Sequence, residues 1–346
     1  MDLAEFKTTF DGIMQTYIDG KIQQTKKLVG DKKINTFVDY IQNFIFSGGK
    51  RIRPYVLRLI YMWFGWQDEK AILNFGIIFE LFHSMALIHD DIIDQSTKRH
   101  NIPTLHSFIW EALDNEKHAK HIAEWQAMLI GDLILAWVYE LSYQSKIFSD
   151  KIYLAAKENV HSMIEEVILW QMIDVDMTVS WQASLDLIDK KNNYKTASYT
   201  FIRPMLTWAI LAGASEKQKA QIIELWRNLW FAFQIKDDLM DITGGDKTKS
   251  SFTDIQEWQQ TYFTNYIFEK WSATDQKLLR SCLGKNLNSK QITALQKMFE
   301  TSWAIAFGRE MITDFTHKAK TVLEDITFTN TEAKSRILAL IKKMEK

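Results

Sequence analysis

The stretch His89-Asp90-Asp91-Ile92-Ile93-Asp94 places three carboxylates within five residues, with only isoleucines between them. Counting back from Asp94 at helical spacing gives Asp90, Ala86, His83 and Phe79. These positions share one helix face. The face begins with residues that point into the protein, and the aspartates continue it. Carboxylates at this spacing repel each other, and an ionised carboxylate facing inward is unfavourable unless it is paired. The stretch therefore predicts a helix whose carboxyl end binds a cation.

A second stretch, residues 234–241, repeats this spacing with Asp237, Asp238 and Asp241. The apolar stripe that it continues consists of Trp226, Trp230 and Phe233. A single D-D-x-x-D motif is as often a solvated acidic face as a metal site. Two of them, each at the carboxyl end of an apolar stripe, favour a shared function. If the two helices face each other, six carboxylates converge on one cavity, and ligation by oxygen alone suits Mg²⁺ shared with a phosphate-bearing substrate.

Basic side chains at breaks in the chain supply the opposite charge. Those beside glycine, proline or predicted helix ends are Lys50, Arg53, Arg99 and Lys195. Each one alone is most often a surface charge. Near carboxylates that bind a metal, they indicate a substrate with several negative charges, because arginine forks and lysine point charges both bind phosphate oxygens. Gly48-Gly49 would allow a close approach of the backbone, and the spacing of a Walker A loop is absent from the sequence.

The composition favours helices throughout the chain. Among its 346 residues are only three prolines and 13 glycines, and 47% are hydrophobic, which is too many for a disordered protein. The sequence has no alternating strand pattern or internal repeat. We therefore predict a single all-α domain over residues 1–346. The expected helices are two within 1–47 with a break near Gly30-Asp31, then 55–64, 70 to the first motif, 117–146, 150–178, 184–199, 204–213 and 216–243.

Charge, cysteine content and hydropathy give expectations about partners and location. The net charge of −1 offers no electrostatic argument for nucleic-acid binding. The single cysteine, Cys282, excludes an internal disulfide and fits a reducing compartment. No uncharged apolar run approaches the roughly 20 residues that span a bilayer. Residues 1–5 lack the basic and apolar regions of a signal peptide. We expect a soluble cytoplasmic protein without an integral membrane segment.

Taken in order, these motifs resemble those of the trans-isoprenyl (polyprenyl) diphosphate synthases. The matching segments are G-G-K-R-I-R-P at 48–54, H-S-M-A-L-I-H-D-D-I-I-D at 83–94, Lys195-Thr196, and F-Q-I-K-D-D at 233–238. The similarity covers about residues 48–261. It implies a helical bundle around a deep apolar cavity, usually a homodimer. The implied reaction is the head-to-tail (1'-4) condensation of isopentenyl diphosphate with an allylic diphosphate, which releases diphosphate.

The resemblance also implies roles for individual residues. Mg²⁺ ions, three per active site, would be held by Asp90, Asp94 and Asp237, with Asp91, Asp238 and Asp241 as supporting ligands. Isopentenyl diphosphate would bind Lys50, Arg53 and His83, and the allylic diphosphate would bind Arg99, His100 and Lys195. Partial negative charge beside the allylic cation would come from Thr196, Gln234 and the carbonyl of Lys195. Gln171 and Asp174 would support the site, and the released diphosphate would accept the final proton.

Three segments depart from the family pattern. The usual Arg-Arg-Gly after the first motif is Arg99-His100-Asn101, and histidine is a weaker, pH-dependent ligand of phosphate. The glycine before Gln171 is Trp170, and the late Gly-Lys pair is missing from residues 254–261. These changes weaken the expected diphosphate binding. Because both aspartate motifs are intact, we still expect an active enzyme.

Product length is predicted from the helix that precedes the first motif. A C5 unit is about as long as one helical turn of roughly 5.4 Å, so side chains one and two turns before Asp90 form successive floors. Ala86 and Met85 come first, followed by Phe82 and Leu81, and then by Ile78. A small residue at 86 lets the chain pass the first floor, and Phe82 stops it at the second. The predicted product is near C20, and longer products remain open.

Three alternative functions compete with this interpretation. A low-activity or non-catalytic subunit of a heteromeric synthase is favoured by the altered basic segments and opposed by the six aspartates. A class I terpene cyclase usually lacks both the second D-D-x-x-D motif and the G-G-K-x-x-R loop. A ferritin-like di-iron bundle is suggested by the Glu-x-x-His spacings at Glu80–His83 and Glu158–His161, but it leaves the aspartates unexplained.

Overall fold

The computed structural model describes residues 2–65, 69–114, 116–144, 149–180, 198–244, 252–259, 261–327 and 329–345, together with Leu187 and Lys190. Up to Ser180 the helices are α1 (Leu3–Val29), α2 (Lys32–Phe46), α3 (Ile52–Trp63), α4 (Glu69–Ile93), α5 (Leu105–Leu113), α6 (Ala119–Gln144) and α7 (Asp150–Ser180). The strands β1 (Lys98–Arg99) and β2 (Ile102–Pro103) form an antiparallel hairpin between α4 and α5. The all-α prediction is confirmed.

Beyond residue 197 the chain continues as helices. A π-helical turn over 198–202 precedes α8 (Arg203–Leu211), α9 (Glu216–Thr243), α10 (Thr253–Gln256), α11 (Tyr262–Lys270), α12 (Ala273–Cys282), α13 (Ser289–Thr301), α14 (Ala304–Glu324) and α15 (Thr331–Glu345). Internal contacts divide the chain into two compact units. Unit one contains residues 1–62 and 66–157, and unit two contains residues 63–65 and 158–346.

Unit one is built around α4. The side chains of Phe75, Phe79 and Phe82 along this helix are fully buried, as expected for a helix that is apolar on most of its surface. Helix α6 packs against α4, and Gly131 makes the approach close, since a Cβ there would lie 2.3 Å from Nε2 of His89. Packing around α4 therefore fixes the helix that ends in the first aspartate motif.

Unit two is built around α9 and α14, which pack along much of their length. Helix α9 begins with a capping box between Ser215 and Gln218 and ends at Gly244, whose φ of 66° is left-handed. Its buried face carries Ala232 and Ile235, in a core shared with Phe263 of α11. Gly308 of α14 accommodates the Phe263 ring, because a Cβ at residue 308 would lie 2.5 Å from it. Asp237 is exposed and Asp241 partly exposed on the other side of α9, whereas Asp238 is buried.

The observed elements differ from the predicted ones in a few places. The hairpin at 98–103 was not predicted, because two-residue strands carry no alternating pattern. Helix α3 begins at Ile52, inside the predicted basic loop, because proline is tolerated in the first turn of a helix. Most of the predicted helix 184–199 lies outside the described residues. The prediction of one domain over residues 1–346 stays a prediction.

One helical stretch among the described residues, Ala119–Tyr143, has the length and composition of a membrane span. It is partly buried in unit one. Because core helices of globular proteins have the same length and composition, this observation is weak evidence for a membrane segment.

Candidate active site

The first aspartate motif lies at the carboxyl end of α4. Asp90 is partly exposed, Asp91 is fully buried, and Asp94 is exposed immediately after the helix, with its N–H donated to the Asp90 carbonyl at 2.8 Å. The ring of His89 is held against α6, where Nε2 lies 3.1 Å from the carbonyl oxygen of Met128. The three carboxylates therefore lie in three different environments, although the sequence treats them alike.

Asp91 forms an ion pair with Arg99. The Arg99 Nε donates to both carboxylate oxygens, at 2.9 and 3.1 Å, and Nη2 donates to Oδ1 at 2.6 Å. Burial raises the pKa of the Asp91 carboxyl, and the Arg99 guanidinium opposes that shift. Burial would lower the pKa of Arg99, but its hydrogen bond with Asp91 and the nearby charges of the motif raise it. Arg99 is therefore charged and lies beside the motif.

The hairpin between α4 and α5 brings Arg99 to this position. Its turn residues have left-handed backbones, with φ of 49° at His100 and 67° at Asn101. Asparagine adopts this conformation more readily than most residues, so Asn101 replaces the family's glycine with little strain. The Thr104 hydroxyl donates to the Ser96 carbonyl at 2.8 Å and closes the base of the hairpin.

His83 lies among the basic residues of unit one. Burial lowers its pKa well below the ordinary histidine value, and the positive charges of Arg53, Arg99, Arg51 and His100 lower it further. The ring is therefore neutral at pH 7. The structure thus brings together Arg53, His83, Arg99 and His100, which the sequence analysis assigned to diphosphate binding.

The glycine-rich loop lies against the same cluster. A Cβ at Gly48 would lie 2.6 Å from the ring of His100, so glycine is required for the loop and the hairpin turn to approach each other. Lys50 follows in an exposed position. Arg53 belongs to the first turn of α3 and lies 3.8 Å, Nη1 to Oε1, from the buried Glu80 of α4. Loop, hairpin and α4 therefore meet at one basic surface.

The second aspartate motif lies within α9. Asp237 is exposed, whereas Asp238 is buried and accepts a hydrogen bond from the Gln234 side-chain amide at 2.7 Å. The Asp241 carboxylate accepts the backbone N–H groups of Thr253 at 2.9 Å and Asp254 at 3.3 Å. Asp241 therefore holds the start of α10 in the manner of a helix cap.

The predicted floor residues of α4 differ in exposure. Ala86 is partly exposed, as are His83 and Asp90 on the same face, whereas Phe82 and Met85 are buried. The partly exposed positions form one continuous line that ends at the motif. The chain-length role of these residues stays a prediction.

Four further predicted residues belong to the second half of the chain. Lys195 and Thr196 lie outside the described residues. Gln171 is partly exposed and Asp174 is buried, both on α7.

A polar network in unit two, on α7 and α8, was not predicted from the sequence. The Arg203 guanidinium donates to Glu166 through Nε at 3.0 Å and through Nη2, and its Nη1 donates to the Asn159 side-chain oxygen at 2.8 Å. The Ser198 hydroxyl also donates to Glu166, at 2.8 Å. These bonds fix the π-helical turn that follows Lys195 and Thr196 in the chain. Such turns are frequent at functional sites, but no local sequence pattern marks one.

The segment that lacks the family's Gly-Lys pair has an unusual backbone. Trp258 has a left-handed φ of 62°, which glycine would adopt without strain. The indole lies over Gly284: a Cβ added at this glycine would lie 1.1 Å from the indole Nε1. Trp258 is therefore a bulky residue in a backbone conformation that normally favours glycine, and its indole packs against Gly284.

The described donor groups fit Mg²⁺ better than a di-iron centre. In the part of the chain that the structure describes, no three His, Cys, Asp or Glu side chains cluster closely enough to form a metal site by themselves. Glu80 pairs with arginines, which disfavours the di-iron interpretation. Exposed carboxylates such as Asp94 and Asp237 suit Mg²⁺, because this ion usually takes one or two protein carboxylates, several waters and substrate phosphates.

The family follows from comparison with known proteins. A family model described as polyprenyl synthetase matches residues 32–301, which include the segments that carry the resemblance. The chain belongs to the polyprenyl synthetase family. The family assignment also confirms that the chain is an enzyme, a prenyltransferase.

Similar proteins agree with this assignment. The geranylgeranyl diphosphate synthase of Sulfolobus acidocaldarius is 30% identical over 71% of this chain and 71% of its own length. The short chain isoprenyl diphosphate synthase of Methanocaldococcus jannaschii is 28% identical over 76% of this chain and 78% of its own. Together these relatives support a role for the polyprenyl synthetase chain in prenyl-chain elongation.

A solved structure has the same fold. The geranylgeranyl pyrophosphate synthase of Corynebacterium glutamicum, complexed with isoprenyl diphosphate and magnesium, superposes with a TM-score of 0.89. The match covers 100% of this chain and 99% of that one, at 24% sequence identity. At this identity the likeness establishes the fold alone.

Proposed function

We propose that the protein condenses isopentenyl diphosphate with an allylic diphosphate in a head-to-tail (1'-4) reaction and releases diphosphate. The observation that carries the proposal is the basic surface of unit one beside an aspartate motif. Arg53, His83, Arg99 and His100 meet near the end of α4, where Asp90 and Asp94 are accessible. In a polyprenyl synthetase, cations beside acids suit a substrate that carries diphosphate and a metal.

The basic residues bind and orient the two diphosphates. Lys50, Arg53 and His83 are assigned to isopentenyl diphosphate, and His83, being neutral, contributes a hydrogen bond rather than a charge. Arg99, His100 and Lys195 are assigned to the allylic diphosphate. Because Arg99 is already fixed by Asp91, little side-chain entropy is lost when an anion binds it.

Mg²⁺ is the proposed metal, with three ions per active site. Asp90, Asp94 and Asp237 would hold it, and Asp91, Asp238 and Asp241 would keep the motifs in place through their own hydrogen bonds. When bound, the metal supplies Lewis-acid stabilisation of negative charge on a leaving diphosphate. Gln234, Thr196 and the Lys195 carbonyl are assigned to stabilise the allylic cation, and Gln171 and Asp174 support the site. The released diphosphate takes the final proton.

The product is proposed to be an all-trans prenyl diphosphate near C20. Support comes from the line of α4 positions that ends at Asp90, where Ala86 is small and partly exposed. Phe82, two turns before the motif, is the proposed stop, with Met85 beside the first floor. Phe82→Ala should lengthen the product, and Ile77→Ala, at another buried residue of the same helix, is the matched control. An unchanged product from Phe82→Ala would exclude Phe82 as the stop.

A homodimer in the cytoplasm is the proposed assembly and location. Helix α6 supports the assembly because apolar side chains recur on its exposed side at helical spacing. They include Trp125 and Tyr143, exposed by 59% and 63%, and Leu129. Such a stripe suits an identical α6 from a second copy. Light scattering tests this assignment: Trp125→Glu with Leu129→Glu should yield monomers.

The decisive test is a product assay on the purified chain alone. Isopentenyl diphosphate is supplied with dimethylallyl, geranyl or farnesyl diphosphate, with and without Mg²⁺, and the products are chromatographed. We expect Mg²⁺-dependent products near C20. Products of C15 or shorter would overturn the length assignment. Inactivity of the chain alone would overturn the proposed independent enzyme, and a partner-dependent recovery would instead identify a heteromeric subunit.

A further inference from the structure

Arg51, in the middle of the G-G-K-R-I-R-P loop, is turned into the protein. It is only 5% exposed, and its guanidinium is engaged on three sides. Nε donates to Asp11 Oδ1 at 2.6 Å, Nη1 to Glu80 Oε2 at 3.0 Å, and Nη2 to the Ile45 carbonyl at 3.0 Å. The guanidinium donors of Arg51 are therefore engaged in hydrogen bonds within the protein. Arg51 therefore differs from its neighbours Lys50 and Arg53.

The backbone of the loop is shaped around this side chain. Arg51 has a left-handed φ of 52°, a conformation that non-glycine residues adopt only when the surroundings hold it. Gly49 has a φ of 92°, and a Cβ there would lie 3.1 Å from Arg51 Nη1. The glycine thus makes room for the internal guanidinium. The sequence predicted a close approach of the backbone at Gly49, and in the structure the group that it approaches is the Arg51 guanidinium.

Two carboxylates hold the loop from different helices. Glu80 lies on α4 and is only 3% exposed; its Oε2 accepts from Arg51, and its Oε1 lies 3.8 Å from Arg53 Nη1. Asp11 lies on α1, where it also pairs with Lys7. The family match begins at residue 32, so Asp11 lies outside the segment by which the family is recognised.

We propose that Asp11 and Glu80 are positioning residues for isopentenyl diphosphate, which act through Arg51. The two carboxylates and Arg51 form a clasp that fixes the loop and directs Lys50 and Arg53 toward the diphosphate. This inference rests on the proposed function, because it deepens the role of the same loop. It makes α1 part of the substrate-binding machinery, beyond the family's recognised segment.

The geometry suggests how the clasp acts. Breaking the Asp11 contact frees one side of a strained, left-handed residue, and the loop gains conformations in which Lys50 and Arg53 no longer converge. Binding then includes the free energy of reordering the loop, so the affinity for isopentenyl diphosphate falls. The allylic substrate depends on the hairpin and the aspartate motifs, so its binding changes little. A purely structural role would lower stability without this selectivity.

Steady-state kinetics with each substrate varied in turn tests the clasp. Asp11→Asn should raise KM for isopentenyl diphosphate roughly tenfold, while kcat and KM for the allylic diphosphate stay within about twofold. Asp11→Glu, which keeps the charge, should recover part of the loss. Asp19→Asn is the matched control, because Asp19 is an exposed aspartate on the same helix that accepts from Gln15. It should behave as the unaltered protein.

Titration calorimetry with isopentenyl diphosphate separates this inference from the proposed function. If the unaltered protein condenses substrates but Asp11→Asn leaves KM unchanged, or raises both KM values equally, the clasp is wrong and the function stands. If the unaltered protein is inactive, the proposed enzyme fails. Weaker binding by Asp11→Asn than by Asp19→Asn would then still support the clasp, and equal binding would overturn it. Circular dichroism verifies folding, and Arg51→Lys serves if Asp11→Asn does not fold.

Discussion

In the first aspartate motif, Asp94 lies just beyond the end of α4, and Asp91 is paired with an arginine from the following hairpin. In the second, all three acids lie inside α9, and their described hydrogen bonds come from an amide and two backbone N–H groups. The first motif therefore has a fixed cation close to its carboxylates, whereas the second organises the chain that follows it. Two motifs with identical spacing in the sequence therefore make different contacts in the structure.

The largest expected effect concerns what the motifs share. Asp90→Ala and Asp237→Ala should each lower kcat by on the order of a thousandfold, about 4 kcal/mol, because each removes a proposed metal ligand. Far-ultraviolet circular dichroism should be unchanged. Asp314→Ala, at an exposed aspartate of α14, is the control and should retain full activity. Substantial turnover by either motif variant would refute its metal assignment.

The middle aspartates of the two motifs, Asp91 and Asp238, should contribute differently to the free energy of unfolding. Asp91→Asn leaves the Arg99 guanidinium without its charged partner, and we expect a loss of about 2–3 kcal/mol in the free energy of unfolding, since Arg99 is partly exposed. Asp238→Asn alters a bond with a neutral amide and should lose about 1 kcal/mol or less. Urea unfolding of the two variants measures both. Equal losses would contradict the proposed difference between the motifs.

Stability near the first motif should also depend on pH through His83. Its pKa is lowered in the folded protein, so below about pH 6.5 the unfolded chain binds a proton that the native state does not. The free energy of unfolding should therefore fall as the pH falls, by at most about 1.4 kcal/mol from this group between pH 6.5 and 5.5. His83→Gln should show a smaller fall in urea titrations at both pH values. The same slope in both proteins would argue against a neutral His83 in the folded protein.

The last aspartates of the two motifs, Asp94 and Asp241, should differ less in their contributions to the free energy of unfolding. Asp241→Ala leaves the N–H groups of Thr253 and Asp254 without their acceptor, so a loss of about 1 kcal/mol is expected, as for a removed helix cap. Asp94→Ala should leave the free energy of unfolding nearly unchanged, because Asp94 is exposed beyond α4. Thermal unfolding followed by circular dichroism compares them. A larger loss for Asp94→Ala would reverse the assignment.

The smallest effect concerns a cation near the second motif. Gln259 belongs to the segment that lacks the family's Gly-Lys pair, and Gln259→Lys adds a positive charge after α9. We expect KM for the allylic diphosphate to fall by about two- to fivefold, as for a partly exposed charge pair. Gln296→Lys, on the exposed face of α13, has the same charge change and should leave KM unaltered. Equal effects of the two variants would indicate a general electrostatic change.

Sequence reasoning succeeded where the signal is local. Helix α9 follows the predicted 216–243, because a capping box and a left-handed glycine mark its ends. It failed where partners lie far apart in the chain. The contact between Asp11 and Arg51 joins residues 40 positions apart, and nothing near either residue marks the other. The bonds from Thr253 and Asp254 to Asp241 likewise join residues 12 and 13 positions apart, and no local pattern marks them.

The contact between Trp258 and Gly284 restricts what each position can become over evolutionary time. While the indole covers residue 284, any side chain there must displace a bulky ring, and the left-handed backbone at both positions leaves asparagine as the main substitute for glycine. If position 258 becomes glycine, the space above residue 284 opens. The two positions should therefore covary in size, with a large residue permitted at only one of them in any descendant of this chain.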